Sequence, residues 1–174
     1  SLRPSLLYID NNRNAVIIYI FSIYQMKEVV YLKTYAEKII DEGDMRLFCQ
    51  IRQIINLLEL PDIGYDKNGQ KREVSCHMLA EATSRIFDVK LRHGYFMTCY
   101  EHSWVYTKNF NIIDLYPVGM VGGPLLIDRR IIFSHGPIYI VKDDLDYIGS
   151  SEQDKQDYKH AVNLVEACMI KIIE

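Results

Sequence analysis

The spacing of apolar residues predicts three amphipathic helices. One set recurs every three to four positions, as on one face of a helix: Leu47, Phe48, Ile51, Ile54, Ile55 and Leu58. Asp44 is placed to cap this helix, and Pro61 to end it. A second helix is predicted from about Ser75 to Asp88, and a last one carries on a single stripe Ala161, Val165, Cys168 and Ile172.

Between the second and the last helix, the sequence takes on the character of β-strands. Runs rich in β-branched and aromatic residues predict strands at Leu91–Thr98, His102–Thr107, Phe110–Tyr116, Leu125–Phe133 and Ile138–Val141. Helices followed by an antiparallel meander are typical of an α+β fold, so we expect N-terminal helices packed on an antiparallel sheet. The length of 174 residues favours a single domain, residues 1–174.

The N-terminal segment has two interpretations. Ser5–Ile9 and Ala15–Tyr24 flank the turn-rich residues 10–14, which predicts a β-hairpin. Alternatively, a helix begins within Ala15–Tyr24 and continues to Glu42, with Gly43 as its stop. The apolar run is too short to cross a bilayer as a helix, which takes ~20 residues, so no membrane span is predicted.

The net charge and the cysteine content limit which partners and which cellular compartment the sequence predicts. The net charge of −3 and the sequence pI of about 6.0 do not provide the clustered basic surface that nucleic acid requires. The four cysteines contain no CxxC pair, which favours reduced thiols and a cytoplasmic protein. Because the chain opens on Ser1 rather than Met, secretion stays open as the alternative.

Cys76 is the first candidate for chemistry. Ser75 is a good N-cap, so Cys76 falls in the first turn of the second helix, where unpaired backbone N–H groups and the helix dipole favour a thiolate. The thiolate is the nucleophilic form of cysteine. The alternative is that Cys76 is a small buried hydrophobe at the end of the apolar stripe.

A predicted hairpin provides a base and a group to orient it. If Tyr106 pairs with Phe110, then His102 lies directly opposite Asp114, on the same face of the sheet. An aspartate there can accept a hydrogen bond from one imidazole nitrogen, which leaves the other nitrogen to take a proton from a thiol. Cys76, His102 and Asp114 therefore form a candidate nucleophile–base–orienter triad.

The stretches SCHMLAEA, EHSWV and NIIDLYP contain these residues together with Ala80, Trp104 and Pro117, and Gly94 lies between the first two stretches. They resemble the core of the transglutaminase-like superfamily, which is related in architecture to papain-like proteases, over about residues 75–118. In that family a helix-starting Cys is followed by a strand His with Trp two positions later and by an Asp on the next strand. Val74 stands where the family often has Gly, and His77 where it often has an aromatic residue.

The resemblance implies a thiol-dependent acyl hydrolase, that is, a cysteine protease, amidase or deamidase acting on a peptide or protein amide. Acyl transfer of the transglutaminase type and a non-catalytic binding module on the same fold are the alternatives. Gln70, six residues before Cys76, matches the offset of the oxyanion glutamine in papain-like proteases. Trp104 and Tyr116 are the expected residues of a substrate cleft.

No cofactor or metal is predicted. Cys76, His77, Cys99 and His102 include zinc-ligand types, but no CxxC or HExxH pair supports a metal site. The glycines after Asp114 are not followed by the GK[ST] signature of a phosphate-binding loop.

Overall fold

The computed structural model describes residues 40–66, 68–96, 99–116, 124–129, 138–142, 148–149 and 151–174. Within these ranges lie three helices, α1 (Glu42–Leu57), α2 (Cys76–Ile86) and α3 (Glu152–Ile173), and five strands. The strands are β1 (Lys90–Phe96), β2 (Tyr100–Tyr106), β3 (Ile112–Asp114), β4 (Leu125–Ile127) and β5 (Tyr139–Val141). The mixed helix-and-sheet composition is confirmed. The predicted N-terminal hairpin, and the part of the alternative helix up to residue 39, lie outside the described ranges.

Helix α1 begins earlier than the sequence pattern predicts. Its N-cap is Asp41, whose Oδ1 accepts a hydrogen bond from the N–H of Gly43 at 2.7 Å. Asp44, predicted as the cap, lies instead inside the first turn and is buried, and Gly43 belongs to the helix rather than ending one. The apolar stripe is as expected, with Phe48, Ile51 and Ile54 buried.

Helices α2 and α3 begin at serine caps and pack against each other. The hydroxyl of Ser75 accepts from the N–H of Met78 at 3.4 Å, and that of Ser151 from the N–H of Asp154 at 3.0 Å. Arg85 of α2 donates to two side chains of α3, Asn163 and Glu166. The buried stripe of α3 contains Ala161, Val162, Val165 and Met169, so Met169 occupies the place predicted for Cys168, which is only partly buried.

The five strands form one antiparallel sheet in the order β4-β3-β2-β1-β5. Strands β2 and β3 are joined by residues 108–110, because the N–H of Thr107 donates to the carbonyl of Asn111. Phe110 closes this three-residue loop in the left-handed conformation, with φ of 64°. Consequently β3 begins at Ile112 and not at Phe110. β4 ends at Ile127, and residues 130–133 of the strand predicted to extend to Phe133 lie outside the described ranges.

The sheet buries side chains on both faces. One face packs against the three helices, and its central residues are Val105, Ile113, Leu115 and Leu126. The other face carries a separate aromatic and aliphatic cluster with Trp104, Ile112, Leu125, Ile127 and Tyr139. We call these the helix face and the aromatic face. Because strand residues alternate between faces, consecutive residues of β2 reach different surroundings.

A buried polar cluster connects α1 to the β2–β3 loop. Asp44 Oδ2 accepts hydrogen bonds from Thr107 Oγ1 at 2.6 Å and from Asn111 Nδ2 at 2.7 Å. Burying a carboxylate is costly unless such donors satisfy it, so these bonds explain why Asp44 faces inward. The cluster holds the loop that sets the register of β2 against β3. None of the described helices combines the length and the apolar character that a membrane crossing requires.

Candidate catalytic site

Cys76 is the first residue of α2, and its side chain is partly buried. The Ser75 cap satisfies the N–H of Met78, while the amides of the first helical turn have no partner within the helix. The positive end of the helix dipole therefore lies at the thiol, as the sequence predicts. The loop before Cys76 is fixed to α3 by an ion pair between Arg72 and Asp157, at 2.6 Å.

His102 and Asp114 lie on the same face of the sheet, but not in the predicted register. Val105 pairs with Ile113 and Tyr106 with Ile112, so Asp114 is a diagonal neighbour of His102 rather than its direct partner. The predicted pairing is wrong by two residues because the loop is centred on Asn109 and not on Lys108. A shift of two preserves the face, and Nε2 of His102 lies 2.9 Å from both carboxylate oxygens of Asp114.

The second ring nitrogen of His102, Nδ1, is buried and forms no well-directed hydrogen bond with any described residue. The Cys76 thiol interacts with this imidazole, so Nδ1 is the nitrogen available to it. Burial by itself raises the pKa of the thiol, but interactions with His102 and His77 outweigh burial and lower the pKa from 9.0 to about 6.

The pKa of His102 moves in the opposite direction. Burial by itself lowers it, but hydrogen bonds and charge interactions with Asp114 and Cys76 outweigh burial and raise the pKa from 6.5 to about 9. Between these two values the favoured state is a thiolate beside an imidazolium. That is the state in which a cysteine attacks an acyl carbon and a histidine holds a proton for the leaving group.

Aromatic rings enclose His102. Its ring centroid lies 6.0 Å from that of Phe96, 6.2 Å from that of Trp104 and 6.4 Å from that of Tyr139. His102 and Trp104 are both fully buried. Trp104, expected to line a substrate cleft, therefore packs on the imidazole and presents no surface to a substrate in this conformation.

Tyr139 is a member of the site that the sequence did not reveal. Its hydroxyl donates to Asp114 Oδ2 at 2.6 Å, and the N–H of Tyr116 donates to Oδ1 at 3.1 Å. Burial, together with the negative charge of Asp114, raises the pKa of Tyr139 well above 10.0, so the hydroxyl keeps its proton. The sequence feature that could have revealed it is the alternation of side chains along β5, which places Tyr139 and Val141 on one face of the sheet.

Gly94 allows β5 to approach this site. It pairs with His102 on one side and with Val141 on the other. A Cβ at this position would overlap the carbonyl oxygen of Ile140. Only a glycine therefore permits β5 to lie close enough for Tyr139 to reach Asp114.

A second polar group lies on the helix face. Ser103 is fully buried, and its Oγ lies 2.6 Å from Nδ1 of His77 and 2.6 Å from Nδ1 of His93. His93 is the cross-strand partner of Ser103, and His77 follows Cys76 in α2. The sequence singled out His77 as an unusual residue beside the cysteine and as one of several zinc-ligand residue types, and not as a partner of Ser103. The alternation of side chains along β2 was the sequence feature that indicates that Ser103 faces away from His102.

The remaining predicted residues lie nearer the surface. Gln70 is exposed in a turn, where its backbone N–H donates a hydrogen bond to Asp66 Oδ1. Its side-chain amide is not among the groups that shift the pKa of the Cys76 thiol. The side chain of Tyr116 is exposed, directly after the Asp114 strand. Of the other cysteines, Cys49 and Cys99 are exposed and Cys168 is partly buried.

Among the described residues, no group of three or more His, Cys, Asp or Glu side chains has the geometry to hold a metal ion. Cys99 lies in a turn at the start of β2, outside the set that contains Cys76 and His102. In comparisons with protein-family models, curated proteins and solved structures, no match to this chain was found.

Proposed function

We propose that this chain is a thiol-dependent acyl hydrolase that cleaves an amide through Cys76, His102 and Asp114. One observation carries the proposal. The His102 imidazole contacts both carboxylate oxygens of Asp114 through Nε2, while its remaining nitrogen is left for the thiol at the start of α2. The carboxylate orients the ring, and the ring stabilises the thiolate.

The chemistry proceeds in two displacements. The Cys76 sulfur forms a bond to the acyl carbon, and the carbon–nitrogen bond of the tetrahedral intermediate breaks as His102 gives its proton to the departing amine. Neutral His102 then takes a proton from water, whose oxygen bonds to the acyl carbon. The carbon–sulfur bond breaks, which releases the acid and restores the thiolate and the imidazolium.

The oxyanion formed in each displacement needs hydrogen-bond donors. The backbone N–H of Cys76 belongs to the first turn of α2, where amides are free to donate outside the helix. Gln70 remains the proposed second donor, and it has to reach the site from an exposed turn. Tyr116 remains the proposed contact for the substrate, because its ring is exposed beside the Asp114 strand.

The order of the elements supports a transglutaminase-like or papain-like core as part of the same proposal. A cysteine begins a helix, and that helix packs on an antiparallel sheet whose neighbouring strands carry the histidine and the aspartate. The full burial of His102 favours a second candidate, a non-catalytic binding module on the same fold. A module of that kind has no use for an activated thiol, so reactivity separates the two.

The test is trapping of the acyl-enzyme. Wild-type protein mixed with p-nitrophenyl acetate should gain one acetyl group on Cys76, seen by intact-mass and peptide mass spectrometry, and should then lose it to water. Cys76→Ala should abolish this acylation, while Cys168→Ala, which changes another partly buried cysteine, should leave it unchanged. Acylation that persists in Cys76→Ala would overturn the proposal.

The fate of the acyl group distinguishes hydrolysis from transfer. Adding a primary amine such as glycine methyl ester should leave release of acetate as the main route. If the amide product dominates at millimolar amine, the transferase alternative replaces hydrolysis. If no acyl group forms on Cys76 at all, the binding module becomes the better account.

A further inference from the structure

Ser103 Oγ is a single hydroxyl between two imidazole nitrogens. It lies 2.6 Å from Nδ1 of His77 and from Nδ1 of His93, and it is fully buried. One hydroxyl has one proton to donate, so it can satisfy only one unprotonated nitrogen. At least one of the two histidines must therefore carry its proton on Nδ1 and donate to Ser103.

The two ways of placing the protons differ at the sulfur. If His93 donates to Ser103 and Ser103 donates to His77, the neutral His77 ring has its proton on Nε2. If His77 donates to Ser103 instead, neutral His77 has an unprotonated Nε2. The first arrangement directs a donor outward from His77, which suits a thiolate; the second directs an acceptor outward, which suits a neutral thiol.

We propose that His77 is a second histidine of the catalytic centre, donating a hydrogen bond from Nε2 to the Cys76 sulfur, and that Ser103 and His93 hold it in the tautomer that does so. The inference rests on the proposed function, in which Cys76 is the nucleophile. His77 touches the reacting atom, whereas Ser103 and His93 are positioning residues.

The position of His77 supports this role. It follows Cys76 in the first turn of α2, and its Nδ1 is already engaged by Ser103. Its hydrogen bond acts on the thiol in the same direction as that of His102. Behind these two rings lie the other titratable groups: Asp114 and Tyr139 beyond His102, and His93 beyond Ser103.

The two imidazoles at the sulfur would have different roles: His102 transfers a proton, and His77 donates a constant hydrogen bond. His102 has to give up its proton when the amine leaves, and at that moment its positive charge is lost. The Nε2–H of His77 remains in place through both displacements and transfers no proton. It therefore stabilises the sulfur whenever the carbon–sulfur bond is forming or breaking.

The experiment measures the rate of Cys76 alkylation by iodoacetamide against pH, resolved by peptide mass spectrometry. His77→Ala and Ser103→Ala should each move the midpoint upward by about one pH unit, which makes alkylation about tenfold slower below the midpoint. His93→Ala should act in the same direction. His77→Gln, whose amide can accept from Ser103 and donate to the sulfur, should restore most of the shift. His160→Ala, an exposed change on α3, is the control.

Two results would overturn the inference. One is an unchanged midpoint in His77→Ala when a His102→Gln variant does move it. The other is a long-range ¹H–¹⁵N spectrum of the wild type that places the neutral His77 proton on Nδ1. The spectrum also decides the question if Ser103→Ala does not fold. A wild-type midpoint equal to that of a free thiol would instead defeat the proposed function itself.

Discussion

Nε2 of His102 lies 2.9 Å from Oδ1 and 2.9 Å from Oδ2 of Asp114, across a diagonal of the β2–β3 pair. Both residues are fully buried, so the contact excludes water and is strong for a histidine–carboxylate pair. The carboxylate fixes the ring by the nitrogen that is remote from the sulfur. The orientation of the imidazole thus depends on Asp114.

Asp114→Asn tests this orienting role. An asparagine can turn its NH₂ toward Nε2, which moves the imidazole proton to Nδ1 and removes the acceptor that the thiol needs. Turnover should fall by up to about 10⁴-fold with the fold intact by circular dichroism. Asp88→Asn, at an exposed carboxylate that pairs with Lys108, is the matched control and should be neutral. Unchanged turnover in folded Asp114→Asn would mean that His102 is held by other contacts.

Tyr139→Phe removes one donor from the same carboxylate and leaves the ring in place. Because the lost hydrogen bond is buried and its acceptor is charged, the free energy of unfolding should fall by about 1.5–3 kcal/mol in urea denaturation. Tyr65→Phe, at an exposed ring, should change it by less than about 0.5 kcal/mol. Equal effects of the two variants would show that the hydroxyl of Tyr139 does not stabilise Asp114.

The pH dependence of kcat/KM should be bell-shaped. Activity should rise with a midpoint at about 6, as the Cys76 thiol ionises, and fall with a midpoint at about 9, as His102 loses its proton. The measurement is initial rates of ester or amide cleavage between pH 4.5 and 10.5 at constant ionic strength. A single limb near pH 8.5, where a free thiol ionises, would contradict the assignment.

Stability should respond to pH differently from activity. The raised pKa of His102 gives stabilisation that is lost as pH rises through about 9, and the lowered pKa of Cys76 gives stabilisation that is lost as pH falls through about 6. Between these limits the extra proton on the native imidazolium offsets the one missing from the native thiolate. Urea midpoints at pH 7.0, 7.5 and 8.0 should therefore show almost no slope from this pair in wild type, whereas Cys76→Ala should lose stability as pH rises.

The order of labelling among the cysteines should invert with pH. Near pH 6 a thiol with a pKa of about 6 holds about a hundredfold more thiolate than a free thiol, and its lower intrinsic nucleophilicity offsets this about tenfold. Cys76 should then react about tenfold faster with iodoacetamide than Cys49 or Cys99. Near pH 9.5 those two exposed residues should overtake it. An order that follows exposure at every pH would contradict activation of Cys76.

Elements that depend on local pattern were predictable. The apolar stripe of α1 and the serine cap of α2 follow from spacing and from one residue type each, and the helix start at Cys76 agrees with both. The shared face of His102 and Asp114 also followed, because parity along a hairpin survives an error of two residues. Features that depend on residues close together in the chain, such as helix caps and the face of a strand residue, can thus be predicted from the sequence.

Contacts between distant segments were not predictable. The position of the loop at 108–110 depends on Asp44, which is 63 residues before Thr107 in the chain. The sequence around Asp44 does not indicate that its side chain is buried. Tyr139 reaches Asp114 from a strand 25 residues later, and only because Gly94 admits β5. The bonds of Ser103 with His77 and His93 require three elements to be in place at once.

His102 and Ser103 are consecutive residues of β2 whose side chains leave opposite faces of the sheet. Shifting β2 by one residue against its neighbours exchanges the two faces, so both sets of hydrogen bonds are lost together. A single substitution at His102 or at Ser103 removes the contacts of that residue alone, whereas a shift of one residue along β2 removes the contacts of both. During divergence of related sequences, the length of this segment should therefore vary far less than its composition.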